Sequence, residues 1–450
     1  MISSSHWKEI CQKLIYNLNF DPQDSPKKVL SSSVFLDEKI DLKELVAQLK
    51  TDSLFYFESK KLNREFLAIN KLKYVRTTHE KKDDAYEKVN AIKTKYFGNI
   101  YTTLSFNSTK DESTNIWQDC SEVEFFIPQL EFICHANKIQ VNLNVYNDSS
   151  VTNSVKVNLH NVFSFCDKKP VSVSFPKLIS ESSNPSKKEW IDYIKTALQK
   201  IQSNVFDKVV LARKIALTFE SPVDTVKLFE KMNQQEPDCS LILYRNNTAK
   251  TFISVSPESL FYKKNDDIFA DVLAGTTSVG ENNLKTEQLA KALQKSNKDI
   301  KEHNNVLTYI YQKLSKFSKS VNVLDKMSVL SLSKVQHLKT TLNIKVSKSF
   351  SDLDILKQLH PTPAVGGAPK KESLEFIQEV EPFNRGLFTG ALGIMGTDFS
   401  DIIVGIRCCV IDDNMVHLYV GSGIVDSSNA ESEWAELDKK VQNYMTVLTK

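Results

Sequence analysis

Two short stretches combine acidic and basic residues at helical spacing: Lys298–His303 (KDIKEH) and Glu433–Lys440 (EWAELDKK). At about 3.6 residues per turn, Asp299, Glu302 and His303 fall on one helix face, and Glu433, Glu436 and Lys440 on another. Two helices that each present a pair of carboxylates can converge on one hard divalent cation. A lysine one turn beyond the second pair suits an anionic ligand resting on that cation. The pattern reads as a Mg²⁺ site for a carboxylate substrate. Charged pairs at this spacing are common on any exposed helix, so spacing alone favours two solvated amphipathic faces.

Such faces need elements to carry them. Lys285–Lys316 reads as helical, in one piece or two, and Ala430–Leu448 as a closing helix. Ser186 and Glu189 form a capping box, after which Trp190, Ile194, Ala197, Leu198 and Ile201 share one apolar face. Strands are expected at Lys208–Leu217, Leu241–Tyr244, Thr251–Val255, Leu387–Met395, Ile402–Ile411 and Val416–Val420. The short Asp412-Asp413-Asn414 turn points to antiparallel pairing. Upstream, Val34-Phe35-Leu36, Leu54–Phe57, Val123–Ile127 and Ile139–Val145 look like strands, the last alternating at period two. The polar segment Ile179–Lys188 (ISESSNPSKK) is the best candidate connector. This mixture favours an α+β architecture over a doubly wound parallel sheet. No GxxxxGK[ST], GxGxxG or GxSxG motif is present.

Composition removes several classes. The chain has 450 residues, 41% hydrophobic and 25% charged, enough for two or three domains or one large one. A net charge of +3 without a basic tract argues against nucleic acid as a partner. Seven scattered cysteines without CxxC spacing argue against a disulfide framework or a zinc site. Cys408-Cys409, in the apolar run VGIRCCVI, reads as buried strand packing. The N-terminus lacks the apolar core of a signal peptide, and no stretch approaches the ~20 apolar residues of a membrane helix. The expectation is a soluble protein of a reducing cytoplasm, without membrane partners.

Several segments, in order, resemble the chorismate-utilising enzymes: the isochorismate, salicylate, anthranilate and aminodeoxychorismate synthases. They are KVVLAR (Lys208–Arg213), SPESLF (Ser256–Phe261), LAGTTSVG (Leu273–Gly280), KDIKEH, VQHLKTT (Val335–Thr341), LHPTPAVGGAPK (Leu359–Lys370), EPFNRGLFTG (Glu381–Gly390), Ile406-Arg407, GSGIV (Gly421–Val425) and Glu433–Lys440. The resemblance implies one large chorismate-binding domain, with two antiparallel sheets packed face to face and helices outside. Residues 1–180 would be a divergent part of that fold, and residues 181–450 the catalytic region.

The resemblance also implies roles. Members that add ammonia carry glutamine where this chain has Lys208, whereas members that add water carry lysine as general base. Water is a poor nucleophile at neutral pH and needs a proton acceptor, and a lysine serves only if burial or a neighbouring cation depresses its pKa. Glu258 matches the general acid that protonates the departing hydroxyl, which requires a raised pKa. Glu302 and Glu436 would bind Mg²⁺ directly, with Asp299 and Glu433 acting through water. The family usually has glutamate where Asp299 stands. Arg407 would pair the pyruvyl carboxylate of chorismate, since its planar donors suit a bidentate contact. Gly421 and Gly423 would admit backbone amides to the same group, and Lys440 would neutralise further charge. Gly275 and Thr276 would line the ring side of the pocket, with His337 near the enolpyruvyl ether.

Two departures stand out. Thr277-Ser278-Val279 replaces a loop that is usually basic, and Phe388 stands where many members have tyrosine. Phenylalanine cannot donate a hydrogen bond to the pyruvyl group. Together with Lys208 this favours an isochorismate synthase, serving menaquinone or siderophore biosynthesis. The alternative is a salicylate synthase, which forms isochorismate and then eliminates pyruvate. A monomer without a glutamine amidotransferase subunit is expected.

Overall fold

Strand Val123–His135 carries Pro128 near its middle. Proline cannot donate to a ladder, so a strand that holds one tends to bulge or change partner there. The computed structural model describes residues 3–449 apart from 22, 38–39, 50, 52, 78–81, 107–115, 137, 149–158, 160–161, 163–174, 247–249, 319 and 347–349. In it the strand pairs with Arg64–Thr77 along one edge, with a register shift between Lys71 and Lys73 opposite Pro128. On the other edge, the part before Pro128 pairs with Ile100–Leu104, and the part after it with Lys138–Tyr146.

Two arms of sheet leave this junction. One runs through Ala391–Met395, Phe399–Val404, Ser259–Lys264, Asp267–Ser278 and Val335–Lys345 to Val321–Ser331. The other runs through Ser53–Ser59, Ser240–Asn246, Thr251–Ser256, Cys408–Asp412 and Met415–Ile424 to Lys208–Phe219. The described pairings are all antiparallel and join the strands into one network. An apolar cluster that includes Phe55, Phe66, Ile242, Leu392, Ile403 and Val410 draws members from both arms. A larger cluster packs helices against the remaining sheet surface, with Trp190, Ile194, Val306, Ile310, Leu437 and Val441 among its members. The architecture is therefore α+β, with helices outside antiparallel layers.

The predicted capping box is present at the start of helix Lys187–Gln202. The predicted helical stretch divides into Asn283–Leu293 and Asn297–Leu314, and Ser296 caps the second helix. The turn at Asp412–Asn414 closes a hairpin in which Asp412 pairs with Met415. Three expectations are corrected. Ile179–Lys188 is not a connector, because Leu178–Asn184 is a strand paired with Lys208–Phe219. Its serines and glutamate read as loop, yet they lie on an exposed edge strand with little to bury. Ile402–Ile411 is two strands, because Gly405, Ile406 and Arg407 leave the ladder and Arg407 adopts a φ of 48°. Leu387–Gly390 is a turn, and the strand begins only at Ala391.

Residues 1–180 and 181–450 share the sheet, since Ser53–Ser59 pairs with Ser240–Asn246 and Ile100–Leu104 with Ala391–Met395. Cys408 and Cys409 are fully buried free thiols, while Cys166 lies outside the described residues. Among the described residues no helix is long and apolar enough to cross a membrane.

Among the described residues, the strand that begins at Lys208 pairs outward only at its two ends, with Gly367-Ala368 and with Leu178–Asn184. Between them its polar groups are met by a buried ion pair. Arg385, 0% exposed, bonds Glu381 and donates to the carbonyls of Val210 at 2.6 Å and Val365 at 2.9 Å. Glu381 accepts the Ala212 N–H at 2.8 Å. Removing one partner strands a buried charge as well as backbone groups. Glu381→Ala is therefore expected to destabilise the protein by about 3–5 kcal/mol, read from the shift of its urea unfolding midpoint.

Candidate active site

Apart from His303, the residues singled out above for chemistry line one cavity of about 220 Å³. Lys208, 1% exposed, is the first residue of its strand, and its Nζ lies 2.8 Å from Glu302 Oε1 on helix Asn297–Leu314. The facing strand Met415–Ile424 places Gly423 opposite Val210. A Cβ on Gly423 would stand 2.9 Å from Lys208 Cε and 3.1 Å from Glu302 Oε1. The glycine thus leaves room for the lysine and its partner. Gly421 instead offers its carbonyl to Lys440 Nζ at 2.9 Å.

Glu258 lies between strands Thr251–Ser256 and Ser259–Lys264. Its N–H donates to Ser256 Oγ at 3.2 Å, and its carbonyl accepts the Val404 N–H at 3.0 Å. The side chain is almost wholly buried. Burial pushes its pKa up to about 8; Lys208 pulls it down and Asp271 adds to the rise. The carboxyl group therefore holds its proton at neutral pH.

Arg407 projects from the break between two strands. Its Nη1 lies 3.1 Å from Glu236 Oε1, and its Nη2 3.4 Å from His337 Nε2. His337 Nδ1 is 3.0 Å from Thr276 Oγ1. Burial, with Arg407 and Lys440 nearby, pushes the His337 pKa down to about 3, so the imidazole is neutral. Gly275 has a φ of +82°, and a Cβ there would meet Asp299 Cβ at 3.0 Å. Only glycine allows that close approach without strain. It lets the Thr276 N–H donate to Asp299 Oδ1 at 3.3 Å. His303 is buried beside Glu302, 2.7 Å from Thr340 Oγ1 and 3.2 Å from the Ala274 carbonyl, and so anchors its helix to the sheet.

Asn429 caps the C-terminal helix Ala430–Leu448. Glu433 accepts the Ser422 hydroxyl and lies 3.6 Å from Lys298 Nζ. Glu436 pairs with Lys440 at 2.7 Å; burial raises its pKa, but Lys440 outweighs this and holds it below the usual carboxylate range. The two helices thus bring four carboxylates to one cavity wall. Lysines stand beside Glu302, Glu433 and Glu436, where a cation would compete with them. Among the described residues no three carboxylate, imidazole or thiol groups are already gathered around one point. The donor chemistry is nevertheless all oxygen, which fits a hard divalent cation.

Sequence reasoning missed Glu236 and the part played by Lys298. Glu236 follows helix Thr225–Gln235 in an unremarkable Gln-Gln-Glu-Pro run, and no local signal marks it.

The Glu258 assignment has a pH signature. In the unfolded chain this carboxyl ionises near 4.5, and in the folded protein near 8. Between those values the folded state holds the extra proton, so the contribution to stability is present at low pH and is lost as pH rises to about 8. Glu258→Gln lacks this titration. Its melting temperature relative to the unsubstituted protein should climb across that window and level off above it, as thermal melts at stepped pH would show.

A family model described as "Chorismate binding enzyme" matches residues 13–449. The chain is 30% identical to isochorismate synthase MenF of Escherichia coli over 73% of this chain and 76% of that protein. It is 30% identical to isochorismate synthase MenF of Haemophilus influenzae over 58% of this chain, spanning 61% of that protein's length. Among solved structures, that of MenF, the menaquinone-specific isochorismate synthase from Escherichia coli, superimposes with a TM-score of 0.82 at 26% identity, covering 95% of this chain and 96% of that one. The chain belongs to the chorismate-binding enzyme family.

Proposed function

We propose that the protein is an isochorismate synthase, a Mg²⁺-dependent isomerase that interconverts chorismate and isochorismate for menaquinone or siderophore biosynthesis. The observation that carries this reading is a buried lysine and a protonated buried glutamic acid, Lys208 and Glu258, on the walls of one cavity. An enzyme that adds water and expels hydroxide needs that pairing of base and acid.

In the proposed reaction a water oxygen bonds to C2 of the ring while Lys208 accepts its proton. The ring double bonds shift and the C4–O bond breaks. The departing hydroxyl takes the Glu258 proton and leaves as water. One water enters and one leaves, so the reaction is a reversible isomerisation. Lys208 accepts the proton as a neutral amine, whose lone pair takes it while an N–H can keep donating to Glu302. Arg407 holds the pyruvyl carboxylate, with Gly421 on the same side of the cavity, while Gly423 gives clearance to Lys208 and Glu302. His337 stands near the ether, Gly275 and Thr276 lie along the ring, and Lys440 supplies further positive charge.

Glu302 and Glu436 would hold Mg²⁺, with Asp299 and Glu433 acting through its water. When bound, the ion would neutralise and orient the ring carboxylate. The neutral ring of Phe388 offers no donor to the pyruvyl group, which supports a reaction that stops at isochorismate. Lys208 also supports water over ammonia as nucleophile, so no amidotransferase partner is needed.

Purified protein given chorismate and Mg²⁺ should form isochorismate to an equilibrium mixture, resolved by chromatography, and EDTA should abolish turnover. Salicylate and pyruvate accumulating instead would assign a salicylate synthase. Lys208→Ala and Glu258→Gln should each lower kcat by roughly 10²–10⁴-fold. With Glu258 as the acid, kcat/KM should fall as pH rises through about 8, a limb that a stepped-pH series of initial rates would reveal.

A further inference from the structure

We propose that Glu236 is a positioning residue, which fixes Arg407 in the orientation that receives the substrate's carboxylate; this rests on the functional reading above. Glu236 is buried at the cavity wall, just past the end of helix Thr225–Gln235. Its Oε1 accepts from Arg407 Nη1 at 3.1 Å and from the Ser333 hydroxyl. Its Oε2 accepts the Ser333 N–H at 3.1 Å. One carboxylate therefore ties together a helix end, the turn between strands Val321–Ser331 and Val335–Lys345, and the strand break that carries Arg407.

Arg407 needs such a tie. It projects from irregular backbone, and a long side chain left free there would lose rotamer entropy whenever it bound an anion. The far side of the guanidinium is held as well. A neutral His337 whose Nδ1–H faces Thr276 Oγ1 leaves the Nε2 lone pair to accept from Nη2. With the Thr276 N–H on Asp299, a line of polar contacts runs from Glu236 to the acidic end of the cavity. Two of the five guanidinium N–H donors are used in this line, and three remain for a carboxylate.

A negative charge beside an anion-binding arginine opposes binding unless it serves to orient the arginine. The two effects have opposite signs, so variants separate them. Glu236→Ala should raise the KM for chorismate roughly tenfold or more, with kcat changing less than about threefold. Glu236→Gln keeps an acceptor for Nη1 and should recover most of that loss. In an Arg407→Ala background, Glu236→Ala should add no further rise, which a merely structural role would not predict. A KM for Glu236→Ala that is unchanged or lowered would overturn the proposal.

Should Glu236→Ala fail to fold, Glu236→Asp decides. It keeps the charge but withdraws it by one methylene, so a raised KM supports positioning and an unchanged KM refutes it. If the unsubstituted protein binds chorismate but makes no isochorismate, the functional reading fails. The same comparisons are then made on the chorismate Kd by calorimetry, and the positioning role stands or falls on those.

Discussion

The buried ion pair between Glu381 and Arg385 is the constraint on which the arrangement of the cavity rests. Strand Lys208–Phe219 would otherwise expose unpaired backbone groups between its two outer partners, at the point where it must present Lys208 to the cavity. Arg385 and Glu381 meet the Val210 carbonyl and the Ala212 N–H there, and Arg385 also holds the Val365 carbonyl of the adjoining turn. A hydrophobic replacement could fill the volume but could not satisfy those groups. Taking two charges from water is costly, and it is tolerated here because nearly every donor on the guanidinium has an acceptor.

The cavity works by placing opposite charges where each changes the other's chemistry. Its acidic end draws carboxylates from two helices that approach from different parts of the chain, and lysines stand between them. Its other end holds an arginine and a neutral histidine. Glu258 is buried without a hydrogen-bonded cation of its own, and its burial favours the protonated form. One fold thereby sets a carboxylic acid and several carboxylates within the same small volume, separated by solvation and partners, not by residue type.

Two glycines shape the cavity wall itself. Gly275 takes a backbone conformation that a side chain would strain, and so brings Thr276 against Asp299. Gly423 leaves the space that Lys208 and Glu302 occupy. Both sit on strands whose ladders are otherwise regular, so the sheet supplies the rigid frame and the glycines the clearance.

Much of this was legible in the residues themselves. Apolar periodicity and the Ser186–Glu189 capping box marked their helix, and the spacing of Asp299 with Glu302 and of Glu433 with Glu436 marked two acidic faces, because these signals are local and follow the pitch of a helix. Ordered motifs pointed to the family and to the residues that line the cavity. The edge strand Leu178–Asn184 was not legible, because an exposed strand that buries little carries no apolar alternation. Nor was the break at Arg407, which lies in a run apolar enough to pass for a continuous strand. Glu236 was invisible for a related reason: its importance comes from Arg407 and Ser333, residues far away in the chain. The sequence by itself determined which groups could act as acid, base and anion partner. Only the tertiary structure decided that Glu258 is protonated, that Lys208 is tied to Glu302 and that Arg407 is held from two sides, since burial and partnership depend on contacts between distant segments.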